Sequence, residues 1–203
     1  MDTIIIGILT ILNLIGLLYF IKKGSMNLKL MCMIGLFAGI SVILKSIYIP
    51  LPTGGAIALL SVTPAMILAV LYGPHAGIWV GMLSGCLVMI LVPGWVPIHP
   101  LQIFVEQLGA LGALGYAGVL GNNKKIKIIS ACLLAVIINV SFHIFSGVLF
   151  FSMNVPEGMG SWAYSITYNI GSMGVEGLLS VGLISLLPLD QLKKILKIER
   201  GIV

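Results

Sequence analysis

The chain has 203 residues, of which 59% are hydrophobic and only 8% are charged, and its formal net charge is +5. Soluble domains carry about a quarter charged residues, so this composition excludes a soluble globular domain and predicts an all-α membrane protein. The sequence contains no G-x-x-x-x-G-K-[ST] phosphate loop, so we expect no ATP hydrolysis by this chain.

Seven apolar stretches are long enough to cross a bilayer. The first, Thr3 to Ile21, has no basic segment before it and no small-residue cleavage site after it, so it is predicted to be a true span. Pro64 and the tight Gly73-Pro74-His75 connection leave a re-entrant hairpin as an alternative for the third and fourth stretches. The six later stretches are Leu30 to Ile49, Ala56 to Tyr72, Ala76 to Val92, Leu101 to Leu120, Ile126 to Met153 and Trp162 to Leu187.

Ten of the eleven basic residues fall into three clusters, at 22–29, 124–127 and 193–200. Four predicted spans separate the first cluster from the second, and two separate the second from the third. Because both numbers are even, the positive-inside rule places all three clusters in the cytoplasm. The sequence therefore predicts a multi-pass protein of the cell membrane, with its N-terminus outside and its C-terminus in the cytoplasm.

The same topology divides the chain into three parts. Residues 1–25 form an extra N-terminal transmembrane helix with a basic link, residues 26–190 a six-helix core, and residues 191–203 a basic cytoplasmic tail. Three loops then lie outside and are rich in Pro, Gly and aromatic residues, which suits the rim of a binding cavity as well as simple interhelical turns. These loops are 50–55, 93–100 and 154–161.

One carboxylate stands out within the apolar stretches. Glu106 is the only formal charge between Lys45 and Lys124, and burying it in a membrane costs about 3 kcal/mol, so such acids usually face a cavity and serve transport or binding. Gln102 lies four residues earlier and therefore on the same helix face. The alternative is a structural role, in which Glu106 pairs with Lys45 or is held protonated inside the bundle.

Further polar residues lie in the last two spans. His143 is well inside its span and could share a pocket with Glu106, although a single buried histidine is more often a packing residue. Tyr164 lies near the start of the last span, and Asn169 is about two turns into it, where a primary amide needs partners. The alternative for the aromatic residues at the start of this span is a belt at the membrane interface.

Small residues allow close helix approach at two places. Gly35 and Gly39 on the first core helix, with Ala38 beside them, and the Gly109-x-x-Gly112-x-x-Gly115 stripe suit either packing of the bundle or docking of another membrane subunit. The three cysteines lie inside apolar runs without paired spacing. We therefore predict neither a disulfide, nor a metal site, nor a cofactor.

Several motifs together resemble one family. Gln102-x-x-x-Glu106, His143-x-x-x-Gly147-x-x-Phe150-Phe151, and Pro156-Glu157-Gly158-Met159 followed by Ala163-Tyr164-Ser165-x-x-x-Asn169 resemble the thiamine-specific S components (ThiT family) of energy-coupling factor (ECF) transporters. The resemblance covers about residues 28–187. It implies a six-helix protein that captures thiamine outside and associates with a transmembrane coupling subunit and two cytoplasmic ATPases, with the extra helix as an addition.

The resemblance also implies roles for individual residues. The polar binding residues of the family fall on Glu106, His143, Tyr164 and Asn169, and the docking face falls on Gly35, Ala38 and Gly39. A buried carboxylate and aromatic faces suit thiamine, which carries a cationic thiazolium and an aminopyrimidine. The chain has Phe151 where the family usually has tryptophan, Gln107 where it has tyrosine, and Gly55 where it has an aromatic residue, while Trp95 offers a replacement aromatic.

Three other functions remain open at this point. The first is an S component for another vitamin or a nucleobase-like ligand, which would need less aromatic stacking. The second is an intramembrane enzyme that uses Glu106 and His143 as acid and base, or as metal ligands with His99, although no motif pairs a nucleophile with a base. The third is a structural scaffold without a ligand.

Overall fold

The computed structural model describes residues 2–52, 55–93 and 96–196, which form a bundle of helices with one short β-hairpin. Seven helices, α1 to α7, take the places of the seven predicted spans, so the all-α membrane architecture is confirmed. The elements in chain order are α1 (Asp2–Lys23), α2 (Leu28–Ser46), β1 (Tyr48–Pro50), β2 (Ala56–Ala58), α3 (Thr63–Tyr72), α4 (Pro74–Leu91), α5 (100–118), α6 (Lys125–Phe150), α7 (Ser161–Leu186) and α8 (Leu189–Ile195).

The first two helices begin and end where their sequences favour it. Helix α1 has 22 residues, about 33 Å at 1.5 Å per residue, and it has Asp2 in its first turn and two lysines in its last. Helix α2 begins after Asn27, whose side-chain oxygen accepts a hydrogen bond of 2.9 Å from the backbone N–H of Leu30. That bond satisfies one of the free donors at the helix start.

The predicted span Ala56 to Tyr72 is wrong in its first part. Ala56–Ala58 instead form strand β2, which pairs antiparallel with Tyr48–Pro50, and helix α3 is confined to the ten residues Thr63–Tyr72. Pro64 explains the late start, because proline suits the first turn of a helix and disrupts its interior. A ten-residue helix is about 15 Å long, half of the hydrocarbon core, and the hairpin continues its path.

Helix α3 lies at the centre of the bundle. Eight of its ten residues are buried, and it packs against α2, α4, α5 and α7. A helix that is apolar on every side is stable only inside such a core. The turn into α4 is tight because Gly73 has φ +98°, a conformation that glycine adopts without strain.

Helices α5 and α7 change their hydrogen-bonding pattern along their length. In each helix a π-helical segment follows an α-helical start, and in both the chain then continues as a helix to the far end of the bundle. π-Helical segments are rare and are frequently found at functional sites. The segments in α5 are Pro100–Gln102 (α), Ile103–Ala110 (π), Leu111–Ala113 (α) and Leu114–Gly118 (3-10), and those in α7 are Ser161–Asn169 (α), Ile170–Gly174 (π) and Val175–Leu186 (α).

The loops of one end of the bundle are tied together by hydrogen bonds. Lys193 Nζ donates to the backbone oxygen of Asn122 at 2.6 Å, and Lys29 Nζ donates to that of Leu196 at 2.6 Å. The basic clusters lie in the helix ends and short links at this end of the bundle, apart from Lys197 and Arg200, which lie outside the described residues. The opposite end contains the hairpin and the two other loops that were predicted to be outside.

Candidate functional site

A cavity of about 620 Å³ opens among helices α2, α5, α6 and α7 at the hairpin end of the bundle. Its volume falls within the range of about 300 to 1,000 Å³ that is typical of small-molecule sites. Two of the three predicted outer loops contribute to its wall, through Pro93 with Val96 to Ile98 and through Asn154, and the hairpin strands contribute Tyr48, Ala56 and Ala58. The polar lining comes from the helices, so the rim is formed by loops and the chemistry lies deeper.

Glu106 and Gln102 form one wall of this cavity. Gln102 Nε2 donates to Glu106 Oε2 at 3.1 Å, and the backbone N–H of Ile98 donates to Gln102 Oε1 at 3.0 Å. Both side chains are buried, with 5% of Gln102 and 9% of Glu106 exposed. Gln102 therefore connects the second outer loop to the carboxylate, and the predicted shared helix face is confirmed.

A second carboxylate, Glu176, lies behind the first. It is completely buried, and its Oε1 accepts a hydrogen bond of 2.6 Å from Ser61 Oγ. Lys45, which lines the cavity, interacts electrostatically with Glu176 and with Glu106. Glu176 is therefore an internal acid of the bundle and is not part of its surface. At formal charges, two carboxylates and one ammonium leave this group with a net charge of −1.

A smaller cavity of about 30 Å³ adjoins the large one and shares Lys45, Glu106 and His143 with it. This volume suits one or two water molecules, which need polar partners to be stable there. Three hydroxyls provide such partners, from Ser41, Ser61 and Ser84. The charged group is thus surrounded by polar atoms although it lies inside the bundle.

Helices α6 and α7 form the opposite wall. Asn169 Nδ2 donates to the backbone oxygen of Ser165 at 2.8 Å and contacts its hydroxyl at 3.2 Å, while Ser165 Oγ donates to the backbone oxygen of Ile144 at 2.7 Å. Gly147 permits this close approach, because a Cβ at that position would collide with Ser165 Oγ. His143 lines the cavity, and its buried Nε2 has no hydrogen-bond partner among the described residues.

Aromatic rings complete the lining. Tyr164 and Tyr168 lie one turn apart, with ring centroids 5.9 Å apart and planes tilted by 43°, and both face the cavity. Phe151 and Tyr48 line it from the end of α6 and from the hairpin. Gly55 lies against Tyr168, whose ring would be 3.3 Å from an added Cβ. The space beside position 55 is therefore already filled by an aromatic ring from α7.

The structure gathers the residues that were predicted from the sequence around one cavity, and their role in binding stays a prediction. Trp95 lies outside the described residues. Sequence reasoning did not assign Lys45, Tyr48 and Tyr168 to the site, although the spacing of four places Tyr168 on the same helix face as Tyr164. The predicted residues that line the cavity are Gln102, Glu106, Gln107, His143, Phe151, Tyr164 and Asn169.

The predicted docking residues do not share one surface. Gly35 is exposed and Gly39 partly so, and a Cβ at either position would meet no atom within 4 Å. The prediction for Ala38 is wrong, because its side chain is completely buried in the core beside Ile34 and cannot contact a partner.

The second small-residue stripe, on α5, packs the bundle internally. A Cβ at Gly112 would lie 2.9 Å from Leu17 Cδ1 of α1 and 3.1 Å from Met82 Cε of α4. A Cβ at Gly115 would lie 2.6 Å from the backbone oxygen of Pro74. This stripe is therefore covered by the chain itself and is not open to another subunit.

His99 does not support the metal-site alternative. Its Nδ1 accepts a hydrogen bond of 3.1 Å from the backbone N–H of Leu101, and its ring stacks on Phe150 with centroids 5.4 Å apart. Within the ranges that the structure describes, no three His, Cys, Asp or Glu side chains are grouped as metal ligands. The ring is thus held by its own loop and by α6.

Comparisons with known proteins agree on one family and one fold. Residues 31–196 match the profile of the family described as "Thiamine transporter protein" (Thia_YuaJ). The chain is similar to the thiamine transporter ThiT of Bacillus subtilis (strain 168), with 26% identity over 139 residues, which are 63% of this chain and 71% of that protein.

Two solved structures share the fold. ThiT from Listeria monocytogenes superposes with a TM-score of 0.70 at 24% identity, covering 82% of this chain and 96% of that one. A structure described as the S component of a bacterial ECF transporter superposes with a TM-score of 0.57 at 22% identity, covering 83% of this chain and 98% of that one.

Proposed function

The chain belongs to the thiamine transporter protein family, and from this premise we propose that it is the substrate-binding S component of an ECF transporter that captures thiamine. One observation carries the proposal: a nearly buried carboxylate, Glu106, faces a cavity of a size suited to a vitamin. Ionisable residues inside membrane spans are rare because burying them is costly, and they usually mark a binding or transport site.

The charge of the cavity supports a cationic ligand. Glu106 and Glu176 with Lys45 leave a formal charge of −1, which a ligand with one positive charge neutralises. The thiazolium ring of thiamine carries one such charge. A buried, compensated pair is much more favourable than an isolated buried charge, so a cationic ligand is expected to bind better than a neutral or anionic ligand of the same shape.

The remaining lining residues suit the rest of the thiamine molecule. Tyr164, Tyr168 and Phe151 offer aromatic faces to a flat cation, an attraction of about 0.5 to 2 kcal/mol for each good contact. His143 and Asn169 offer hydrogen-bonding groups for the aminopyrimidine, and His143 Nε2 has no partner within the described part of the chain. The cavity thus combines charge, stacking and hydrogen bonding.

Uptake requires partners in this proposal. The chain would dock on a transmembrane coupling subunit, and two cytoplasmic ATPases would supply the energy. The three basic clusters would lie at the cytoplasmic surface according to the positive-inside rule, which leaves the cavity open to the outside and the N-terminus outside. The C-terminus would then be cytoplasmic.

The function is tested with purified protein. Titration calorimetry with thiamine, and mass spectrometry of any molecule that copurifies, should both identify thiamine at micromolar concentration or below. Other vitamins and nucleobases serve as competitors and test the alternative ligand classes. Absence of thiamine binding by folded protein would refute the proposed function, and recovery of chemically altered thiamine would favour the enzyme alternative.

A substitution of Gly35 tests the proposed docking surface without changing the cavity. We expect Gly35→Leu to reduce association with the coupling subunit, and thiamine uptake in reconstituted vesicles, by about tenfold or more, since tight membrane-helix contacts require small residues. Thiamine binding should be unchanged, because position 35 faces open space. Gly7→Leu on α1, which also faces open space, is the control; equal uptake by both variants would contradict the role of Gly35.

A further inference from the structure

Helix α1 precedes the part of the chain that matches the family profile, which begins at residue 31. It packs on α4 and α5 through a narrow face with Ile6, Thr10 and Leu17 buried, and most of its other apolar side chains are exposed. Such an arrangement suits a helix with lipid on one side and protein on the other. The face that contacts α5 contains one residue with a strongly polar side chain, Asn13.

Asn13 makes a directed pair of hydrogen bonds with α5. Its Nδ2 donates to the backbone oxygen of Gly109 at 3.1 Å, and its Oδ1 accepts from the hydroxyl of Tyr116 at 3.0 Å. The two bonds fix which end of the amide faces Gly109, because only the nitrogen can donate. Asn13 thus contacts α5 at the last turn of its π-helical segment.

This turn of α5 is irregular and needs side-chain support. Leu114 N–H donates to the backbone oxygens of Leu111 and Gly112, and Asn139 Nδ2 of α6 donates to that of Ala110 at 2.8 Å. The hydrocarbon of a bilayer offers no water to backbone groups, so an irregular segment persists only where protein groups bond to it or where it lines a water-filled cavity. Two amides, Asn13 of α1 and Asn139 of α6, therefore hold the successive carbonyls of Gly109 and Ala110.

The segment held in this way is the one that carries Glu106. The backbone N–H of Leu111 donates to the backbone oxygen of Glu106. A hydrogen bond between residues five positions apart is the pattern of a π-helix. We propose that Asn13 is a positioning residue for the binding site: by holding the end of the π segment, helix α1 fixes the direction in which the Glu106 carboxylate faces the cavity. This inference rests on the proposed thiamine-binding function and assigns the additional helix a part in it.

The test compares two ligands that differ in charge. Thiamine is titrated beside its neutral 3-deaza analogue, in which carbon replaces the thiazolium nitrogen, into wild type and Asn13→Leu. We expect the variant to bind thiamine about tenfold more weakly and to lose a similar factor of preference over the neutral analogue. A loss of this size corresponds to about 1.4 kcal/mol, a typical value for a hydrogen bond in a well-positioned site.

Matched variants separate an effect on the position of Glu106 from a general effect on folding. Thr10→Val removes a buried hydroxyl that bonds only within α1, to Ile6 O at 2.8 Å, and should leave both affinities unchanged. Tyr116→Phe removes the bond that orients Asn13 and should change the preference in the same direction by a smaller factor. The double variant should be little worse than Asn13→Leu alone, because Asn13→Leu already removes the side-chain oxygen to which the Tyr116 hydroxyl donates.

Each outcome decides the inference. Wild-type affinity and preference in Asn13→Leu would overturn it, and so would a lower melting temperature with the preference between the two ligands intact. If Asn13→Leu does not fold, Tyr116→Phe decides alone, and an unchanged preference there overturns the inference. Failure of wild type to bind thiamine refutes the proposed function instead, so the two failures are distinguishable.

Discussion

Glu106→Gln is expected to lower the affinity for thiamine by about 30-fold to 1,000-fold. Loss of one partner from a buried charge pair costs about 2 to 4 kcal/mol, and 1.4 kcal/mol corresponds to tenfold. The amide keeps the size of the side chain and can still bond to Gln102, so the change removes charge and little else. Titration calorimetry with wild type and variant measures the difference.

Two controls accompany this experiment. Glu157→Gln changes an exposed carboxylate of the third outer loop and should leave the affinity within about twofold of wild type, because solvent-exposed charge interactions contribute little. The melting temperature of ligand-free Glu106→Gln should not fall, since a neutral amide is less costly to bury than a carboxylate. Unchanged thiamine binding by Glu106→Gln would remove the basis of the proposed function.

Gly147→Ala is expected to damage both stability and binding. The new Cβ would collide with Ser165 Oγ and approach Asn169 Nδ2 to 3.4 Å, which forces α7 away from α6. Overpacking of this kind costs about 1 to 3 kcal/mol. The hydrogen bond from Ser165 to Ile144 should weaken, and Asn169 should move out of its position in the cavity wall, so thiamine affinity should fall by tenfold or more.

Gly171→Ala provides the matched control on the same helix. An added Cβ at position 171 meets no atom within 4 Å, so only the intrinsic preference of alanine for helices acts there. That preference is worth about 0.5 to 1 kcal/mol. We expect an unchanged or higher melting temperature and unchanged affinity. If Gly147→Ala behaved like Gly171→Ala in both measurements, the close contact between α6 and α7 would not be required for binding.

The sequence was a good guide to the spans and to the polar residues of the cavity. Apolar length and the parity of the basic clusters predict seven helices, and a spacing of four predicts the bond between Gln102 and Glu106. Because charged residues are rare in this chain, the one carboxylate in its uncharged central part, Glu106, could be identified as a candidate binding residue. These predictions depend on local composition and helix periodicity, which the sequence contains directly.

Other features depend on tertiary contacts and could not be predicted. Residues 56–58 are as apolar as the residues of a membrane-spanning helix, and only their pairing with residues 48–50 makes them a strand. Ala38 is small like its neighbours Gly35 and Gly39, and only the position of the surrounding helices decides that it is buried. The charge interaction of Glu176 with Lys45 joins residues that are 131 positions apart, so no local pattern predicts it.

The π-helical segment of α5 has a consequence for comparing this chain with any relative whose helix is regular. A bond across five residues, as from Leu111 to Glu106, contains one residue more than the α-helical turn. Each residue of an α-helix advances the direction of the side chain by about 100°, so one extra residue turns everything beyond it by that angle. In a relative whose helix is α-helical throughout, matching the two cavity-facing carboxylates would require a one-residue gap in the sequence alignment. Equivalent residues on the two sides of this segment are therefore assigned by superposition in space, and not by counting along an ungapped alignment.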